Sequence, residues 1–304
     1  MARHNLAFLY GAVVKKPRIL KNGSGEPQMA LAFLNIVRGI RDVGDRNKLL
    51  RVDRPTIMTL EPEMIERMET WDVGDIIEIK GTLAVKRVKK SSTCDKCQHQ
   101  NTFPGVLVYV NPFFMRRRYH CDDDEAALKY LTDNREVSNQ IFVIGTLVRD
   151  PKRIIPKNGL IVTQYQIAIN RKFRIRTDNP TVKTDYPWVK SYGKNAQEDW
   201  ERLSVGSEVY IDGCLQARGV MRHAVCEQCG ESYDWKDQAM EIVPYATEYL
   251  NGYRNDAEVE HLREERAEQI RNSILMNVNN PSAAGTIDDI SPDDIEAGID
   301  MNPK

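Results

Sequence analysis

The chain carries almost no net charge: 43 lysines and arginines face 44 aspartates and glutamates, leaving −1. That balance excludes a uniformly basic or uniformly acidic protein, but not a separation of charge along the chain. No run of about 18 apolar residues occurs, so no membrane-spanning helix is expected. Met1-Ala2-Arg3-His4 leads directly into an apolar alternation, with no leader pattern in view, and a cytoplasmic or nucleoid-associated location is expected. Signatures of catalysis are missing too. There is no phosphate-cradling Gly-Lys-Ser loop, no GxSxG elbow and no HExxH pair. At 29% charged residues, scattered carboxylates carry no further meaning. The expectation is a protein that is not an enzyme.

Cysteine is scarce, six in 304 residues, but it is patterned. The Cys94-x-x-Cys97 pair returns as Cys226-x-x-Cys229, 132 residues later. The same offset joins Gly74 to Gly206 and Gly81 to Gly213, and an offset of 134 joins Gly11 to Gly145. The chain is therefore a duplication with small insertions. Each copy opens on an apolar alternation, Leu6 to Gly11 and Gln140 to Gly145. Each then shows a basic stretch with a proline and an Asn-Gly turn, Asn22-Gly23 and Asn158-Gly159. Asn-Gly marks a hairpin because both residues tolerate positive φ. Further strands follow at 29–37 and 161–169, and later at 76–81 and 208–213, where alternation gives each one buried face. Between them one stretch per copy has helical spacing: Met64, Ile65, Met68 and Trp71, then Ala196, Trp200 and Leu203. Both tryptophans are expected to pack in the core.

Five strands with a helix after the third describe an oligonucleotide-binding (OB) barrel. The expected fold is mainly β: two tandem OB-fold five-stranded barrels with short helices, a C-terminal helix and an acidic disordered tail. The expected boundaries are 1–112 for barrel one with its CxxC hairpin and 113–138 for a linker with a short helix. Barrel two with its CxxC hairpin takes 139–250, a charged helix 251–278, and the tail 279–304. In the linker, Asp122 to Asp124 before Glu125–Leu131 reads as an acid-started, capped helix.

The second copy resembles the bacterial single-stranded DNA-binding protein family. The resemblance lies in Ile144-Gly145-Thr146-Leu147-Val148-Arg149-Asp150-Pro151, in Ala168-Ile169-Asn170-Arg171 and in Val209 to Arg218. It covers about 139–245 well and about 5–110 more weakly, through the repeat. It implies binding and protection of single-stranded DNA in replication, recombination and repair. It also implies a tandem form in which two chains pair as a homodimer and present four barrels. The CxxC insertions are foreign to the usual family.

Single-strand binding needs cations along a backbone track and flat side chains on which bases stack. In copy two, Arg171, Lys172, Phe173, Arg174 and Arg176 cluster after the second strand. Tyr186, Trp188 and Tyr192 follow at i, i+2 and i+6, which places them on one face, with Lys190 and Lys194 among them. The resemblance implies stacking at Phe173, Tyr186 and Tyr192, and none at Trp188. In copy one the third strand has no aromatic and Ile40 replaces Phe173. Arg38, Arg41, Arg51 and Arg54 keep a positive track there, for phosphate. Copy one is either a weaker contributor or a structural partner.

Each CxxC falls between the last two strands of its copy. Two thiolates on one side of a tight turn are half of a tetrahedral zinc site. Cys94, Cys97, Cys226 and Cys229 would complete one structural Zn2+ site, within a chain or between chains. Local sites using His99 or His223, reduced pairs and a redox dithiol remain alternatives. Cys214 reads as a buried core thiol and Cys121 as a free thiol beside His120.

The near-zero net charge conceals an asymmetry. Residues 255–304 hold 12 acidic and 4 basic side chains, and the remainder 32 acidic and 39 basic. A basic body with an acidic tail suits a polyanion binder that also recruits partners. In the resembled family such a tail recruits replication and repair proteins. Here the tail keeps acid and isoleucine but has no terminal aromatic. Two other functions fit the same sequence. One is a zinc-stabilised OB scaffold or replication accessory factor acting through protein contacts. The other is an RNA-binding OB protein, since stacking accepts both nucleic acids.

Overall fold

The computed structural model of the chain describes residues 4–39, 50–156, 159–171, 175–177 and 180–279. The first repeat supplies β1 (Asn5–Val13), β2 (Arg18–Lys21), β3 (Pro27–Val37), β4 (Val52–Asp53), β5 (Thr56–Thr59), α1 (Pro62–Glu69), β6 (Asp75–Thr93) and β7 (Gln100–His120). Two helices link the repeats, α2 (Asp124–Asp133) and α3 (Arg135–Ser138). The second repeat follows the same order: β8 (Asn139–Leu147), β9 (Lys152–Ile154), β10 (Val162–Asn170), β11 (Thr184–Asp185), β12 (Trp188–Tyr192), α4 (Gly193–Arg202), β13 (Glu208–Val225) and β14 (Ser232–Asn251). Helix α5 (Asp256–Asn279) ends the described chain.

Each repeat closes into a five-stranded barrel. In the first, β1 pairs with β3, β3 with β5, β5 in parallel with β7, β7 with β6, and β6 with β1. In the second, β8, β10, β12, β14 and β13 close the same ring. Even the two parallel contacts correspond: Ile57 opposite Val110 becomes Val189 opposite Ile242, each shifted by 132. Inward alternation produces the core. Leu9, Leu34, Ile36, Ile57, Ile77 and Ile79 fill barrel one, and Ile141, Val143, Tyr165, Ile167, Val189 and Ile211 fill barrel two.

Strands β1 and β8 pair antiparallel, so the two barrels share one continuous sheet. Ala7 lies opposite Ile141, its own counterpart at offset 134, so the pseudo-twofold axis passes through that pair. Asn5 and Asn139 repeat one another as well. Each buried amide bonds both backbone groups of a strand residue, Asn5 with Leu83 and Asn139 with Leu215, at 2.8–2.9 Å. Replacing either with an apolar residue would leave those backbone groups buried and unpaired, at about 1–3 kcal/mol each.

Glycine is required at two of the places where the repeat keeps it in both copies. Gly74 and Gly206 turn the chain at φ +89° and +88° before the long hairpins. A Cβ on Gly81 or Gly213 would stand 2.6 or 2.4 Å from the facing carbonyl of Asn111 or Val243.

Several expectations need correction. Strand β7 runs to His120, so barrel one extends past the expected boundary at 112, and Cys121 is buried against Ala127 and Leu131. Trp71 is in the core, but Trp200 is not. The Arg266 guanidinium lies 3.5 Å from the Trp200 ring centre and that of Arg153 lies 4.6 Å away. The i+4 spacing put Trp200 on the face that receives α5, which one-helix periodicity cannot distinguish from a core stripe. Helix α2 starts as read, with Asp123 accepting from the Ala126 amide at 2.7 Å. The first half of α5 docks on α4 through Arg263–Glu201 and the buried Val259. The acidic tail from 280 lies outside the described residues.

Candidate nucleic-acid interface and metal centre

Beyond Gly81, β6 leaves its β1 partner and continues with β7 alone as a free hairpin. β13 and β14 do the same beyond Gly213. The two hairpins lie against each other. Phe103 stacks on Trp235, its counterpart, at 5.6 Å and 14° between planes. Lys90 forms an ion pair with Asp237. The Ser92 and Tyr233 hydroxyls lie 2.7 Å apart.

This packing brings the two CxxC turns tip to tip. The Sγ atoms of Cys94 and Cys229 are 3.7 Å apart, and those of Cys97 and Cys226 are 3.5 Å apart. All four lie within 4.8 Å of one another. A tetrahedron of thiolates at about 2.3 Å from zinc has edges of about 3.8 Å. Both turns are wound alike, with the Gln98 amide on the Cys94 carbonyl and the Gly230 amide on the Cys226 carbonyl, each at 2.9 Å. Gln98 and Gly230 take the same left-handed conformation, φ 59° and 71°. The donor chemistry fits a cation. The Cys229 amide and Asn101 draw the Cys226 thiol down to about 6. For Cys97 the His99 amide favours the thiolate, but burial and the other three sulfurs push it up to about 12. Four sulfurs this close become thiolates together only around a positive charge. The group is complete within one chain. His223 stands apart, its ring bonded to Asp234 at 2.9 Å, and takes no place in the cluster.

The expected phosphate track divides into three groups. The first is pinned. Arg38 forms a two-pronged pair with the buried Asp53 at 2.5 and 2.8 Å, and Arg171 with the buried Asp185 at 2.6 and 2.8 Å. Burial acts against charge on Arg38, but the Asp53 carboxylate more than offsets it and holds the guanidinium above its ordinary value. For Arg171 the Asp185 carboxylate is the leading cause of the same rise. These two arginines are fastened to carboxylates rather than open to phosphate. The pins also cross between barrels. Asp53 Oδ1 accepts the Ala217 amide and Asp185 Oδ1 accepts the Val85 amide, both at 2.9 Å. Sequence reading missed this. The signal was present: Arg38/Asp53 and Arg171/Asp185 are the same pair repeated, and a repeated opposite-charge pair points to structure.

The second group is open. Arg51, Arg54, Arg176 and Lys194 are exposed, and Tyr186 is 48% exposed. Trp188 is half-buried beneath the Arg149 guanidinium at 5.2 Å, and Arg149 also bonds Gln166. Tyr192 is half-buried, its hydroxyl accepting from Gln216, which itself accepts from Arg38. Lys190 is corrected: it is 5% exposed, beside the Arg218–Glu241 pair, and burial lowers its pKa. The third group, Arg41, Lys172, Phe173 and Arg174, lies outside the described residues.

Residues 138–228 match the model of the single-strand binding protein family. The chain is related to the bacterial-type single-stranded DNA-binding proteins. It is 28% identical over 112 residues to single-stranded DNA-binding protein 1 of Chlorobaculum tepidum, which spans 37% of this chain and 60% of that protein. It is 35% identical over 78 residues to the single-stranded DNA-binding protein of Aquifex aeolicus, spanning 25% and 52%. The chain thus spans between half and two thirds of these relatives. The fold is shared more widely. The crystal structure of the single-stranded DNA-binding protein from Thermus aquaticus superposes with a TM-score of 0.53 at 17% identity, covering 84% of this chain and 97% of that one. The family match falls on barrel two, the copy with the aromatic outer face.

Proposed function

We propose that the chain binds and protects single-stranded DNA, without catalysis, during replication, recombination and repair. The observation that carries this reading is the outer face of β12 and its approach. An exposed Tyr186, Trp188 under Arg149, and Tyr192 stand in sequence on a barrel of the single-strand binding family. Bases would stack on this face while Arg176, Lys194 and Arg51 follow the phosphates. Four thiolates, Cys94, Cys97, Cys226 and Cys229, would hold one Zn2+ that closes the hairpin tips. That ion would supply cohesion, not reaction chemistry. A homodimer, a cytoplasmic or nucleoid location and recruitment of repair proteins by the acidic tail belong to the same proposal.

A second reading has one observation in its favour. Two arginines of the expected phosphate track are paired with the carboxylates that join the barrels. This suits a zinc-stabilised scaffold or accessory factor. A titration at two salt concentrations separates the readings. It compares oligo-dT of about 35 nucleotides with duplex DNA and oligo-U. Tight, salt-sensitive preference for oligo-dT supports strand binding. Weak, unselective binding favours the scaffold, and preference for oligo-U favours RNA.

A further inference from the structure

Barrel one has no aromatic where barrel two carries Tyr186, yet the place is not vacant. An open cleft of about 270 Å3 lies where barrel one meets the hairpin of barrel two, lined by Val52, Arg54, Ala217 and Gln238. The Asp53 contact with the Ala217 amide fixes its two walls together. A shift of 132 residues carries these four to Thr184, Tyr186, Val85 and Val106. The mirrored contact, Asp185 with the Val85 amide, holds that second junction at the same 2.9 Å. Arg54 therefore occupies the place of Tyr186.

We propose that this cleft is a nucleobase site in which a base of the bound strand stacks on the Arg54 guanidinium. A guanidinium is planar and weakly hydrated, and it stacks on bases as an aromatic face does. Arg54 is exposed but oriented, its Nε donating to Asn35 Oδ1 at 2.8 Å. Val52 and Ala217 give apolar lining. Gln238 offers an amide donor and an acceptor to the base edge. The volume sits at the small end of ligand pockets, roughly 300–1,000 Å3, which suits one base and not a run. Neither barrel makes the site alone. The inference rests on the strand-binding reading, and it gives the aromatic-poor copy a stacking role instead of a phosphate contact.

The test uses the full chain and oligo-dT of about 35 nucleotides over a salt series, with circular dichroism to check each variant's fold. Arg54→Lys keeps the charge and removes the plane. It is expected to weaken binding at least about fivefold with an unchanged salt slope, since one base stack is lost. Arg54→Tyr restores a plane without charge, and is expected to recover most of the affinity while the slope shrinks by roughly one contact. If Arg54→Lys binds as the parent does while Arg54→Ala only reduces the slope, Arg54 is a phosphate contact and the base site is wrong. Parent-like binding by all variants would overturn it as well. Failure of the parent chain to bind single strands would remove the proposed function itself.

Discussion

Phe103 and Trp235 stack face to face at 5.6 Å, and each is the other's counterpart in the repeat. A contact between equivalents lies on the pseudo-twofold axis, so everything beyond it is also brought into register. That is why two half-sites 132 residues apart in sequence meet as one group of four sulfurs. The metal prediction follows. Elemental analysis of purified protein is expected to give one zinc per chain, as a closed four-thiolate site requires. Cys97→Ser with Cys229→Ser is expected to abolish it and to expose Trp235, seen as a shift in fluorescence, while both barrels stay folded. Protein with reduced cysteines and no metal would remove the site.

The stacking face gives a second prediction. Tyr186→Ala with Tyr192→Ala should weaken binding to oligo-dT by roughly tenfold or more, at about 1–3 kcal/mol per base stack. Tyr186 is about half exposed and outside the barrel core, so its single variant should leave the melting temperature within about a degree or two, as surface changes do. Tyr192 touches Gln216, and part of its effect would appear as stability. Unchanged affinity in the folded double variant would show that the strand runs elsewhere.

Much of this architecture was legible from the chain because a duplication allows each position to be read twice. The barrels, the helix after the third strand, the capped linker helix and the CxxC hairpins all follow local periodicity or spacing. What was not legible lies between the copies. Arg38 and Arg171 read as phosphate ligands because each is a cation in a basic stretch, and their carboxylates lie 14 or 15 residues away. Lys190 reads as solvent-facing because strand alternation is right, but alternation is silent about a neighbouring hairpin that covers the outer face. Trp200 reads as core because a helix has one apolar stripe, whatever covers it.

The cross-barrel pins predict a stability effect larger than a surface pair would give. Asp53→Ala would leave the Arg38 guanidinium buried with its partner removed and free the Ala217 amide from its acceptor. Loss of one partner of a buried pair costs about 3–5 kcal/mol. The expected result is a urea midpoint lowered accordingly, with Asp185→Ala behaving alike because its geometry is the same. Arg54→Ala, exposed and outside the pins, should leave the midpoint unchanged. If Asp53→Ala matched Arg54→Ala, the pins would be incidental.

Asp199 gives a pH dependence with a definite sign. It is fully buried on the inner face of α4, bonded by the hydroxyls of Tyr165 and Tyr249 at 3.2 and 2.9 Å. Burial raises its carboxyl from 3.8 to about 6, with Ser191, Tyr249 and Tyr165 pulling the other way. The folded chain therefore holds this proton more tightly than the unfolded chain. Its contribution to stability is fully present below pH 3.8, is lost as pH rises towards 6, and is constant above. The loss across that window is on the order of 3 kcal/mol. Asp199→Asn cannot titrate, so its unfolding free energy should lack this fall. Urea titrations of parent and variant at pH 4, 5, 6 and 7 give the difference directly. The variant should gain on the parent as pH rises, and the gain should level off beyond pH 6. Parallel profiles would mean that Asp199 is solvated well enough to ionise at its ordinary value, and that the Tyr165–Asp199–Tyr249 network is held by charge as well as by hydrogen bonds.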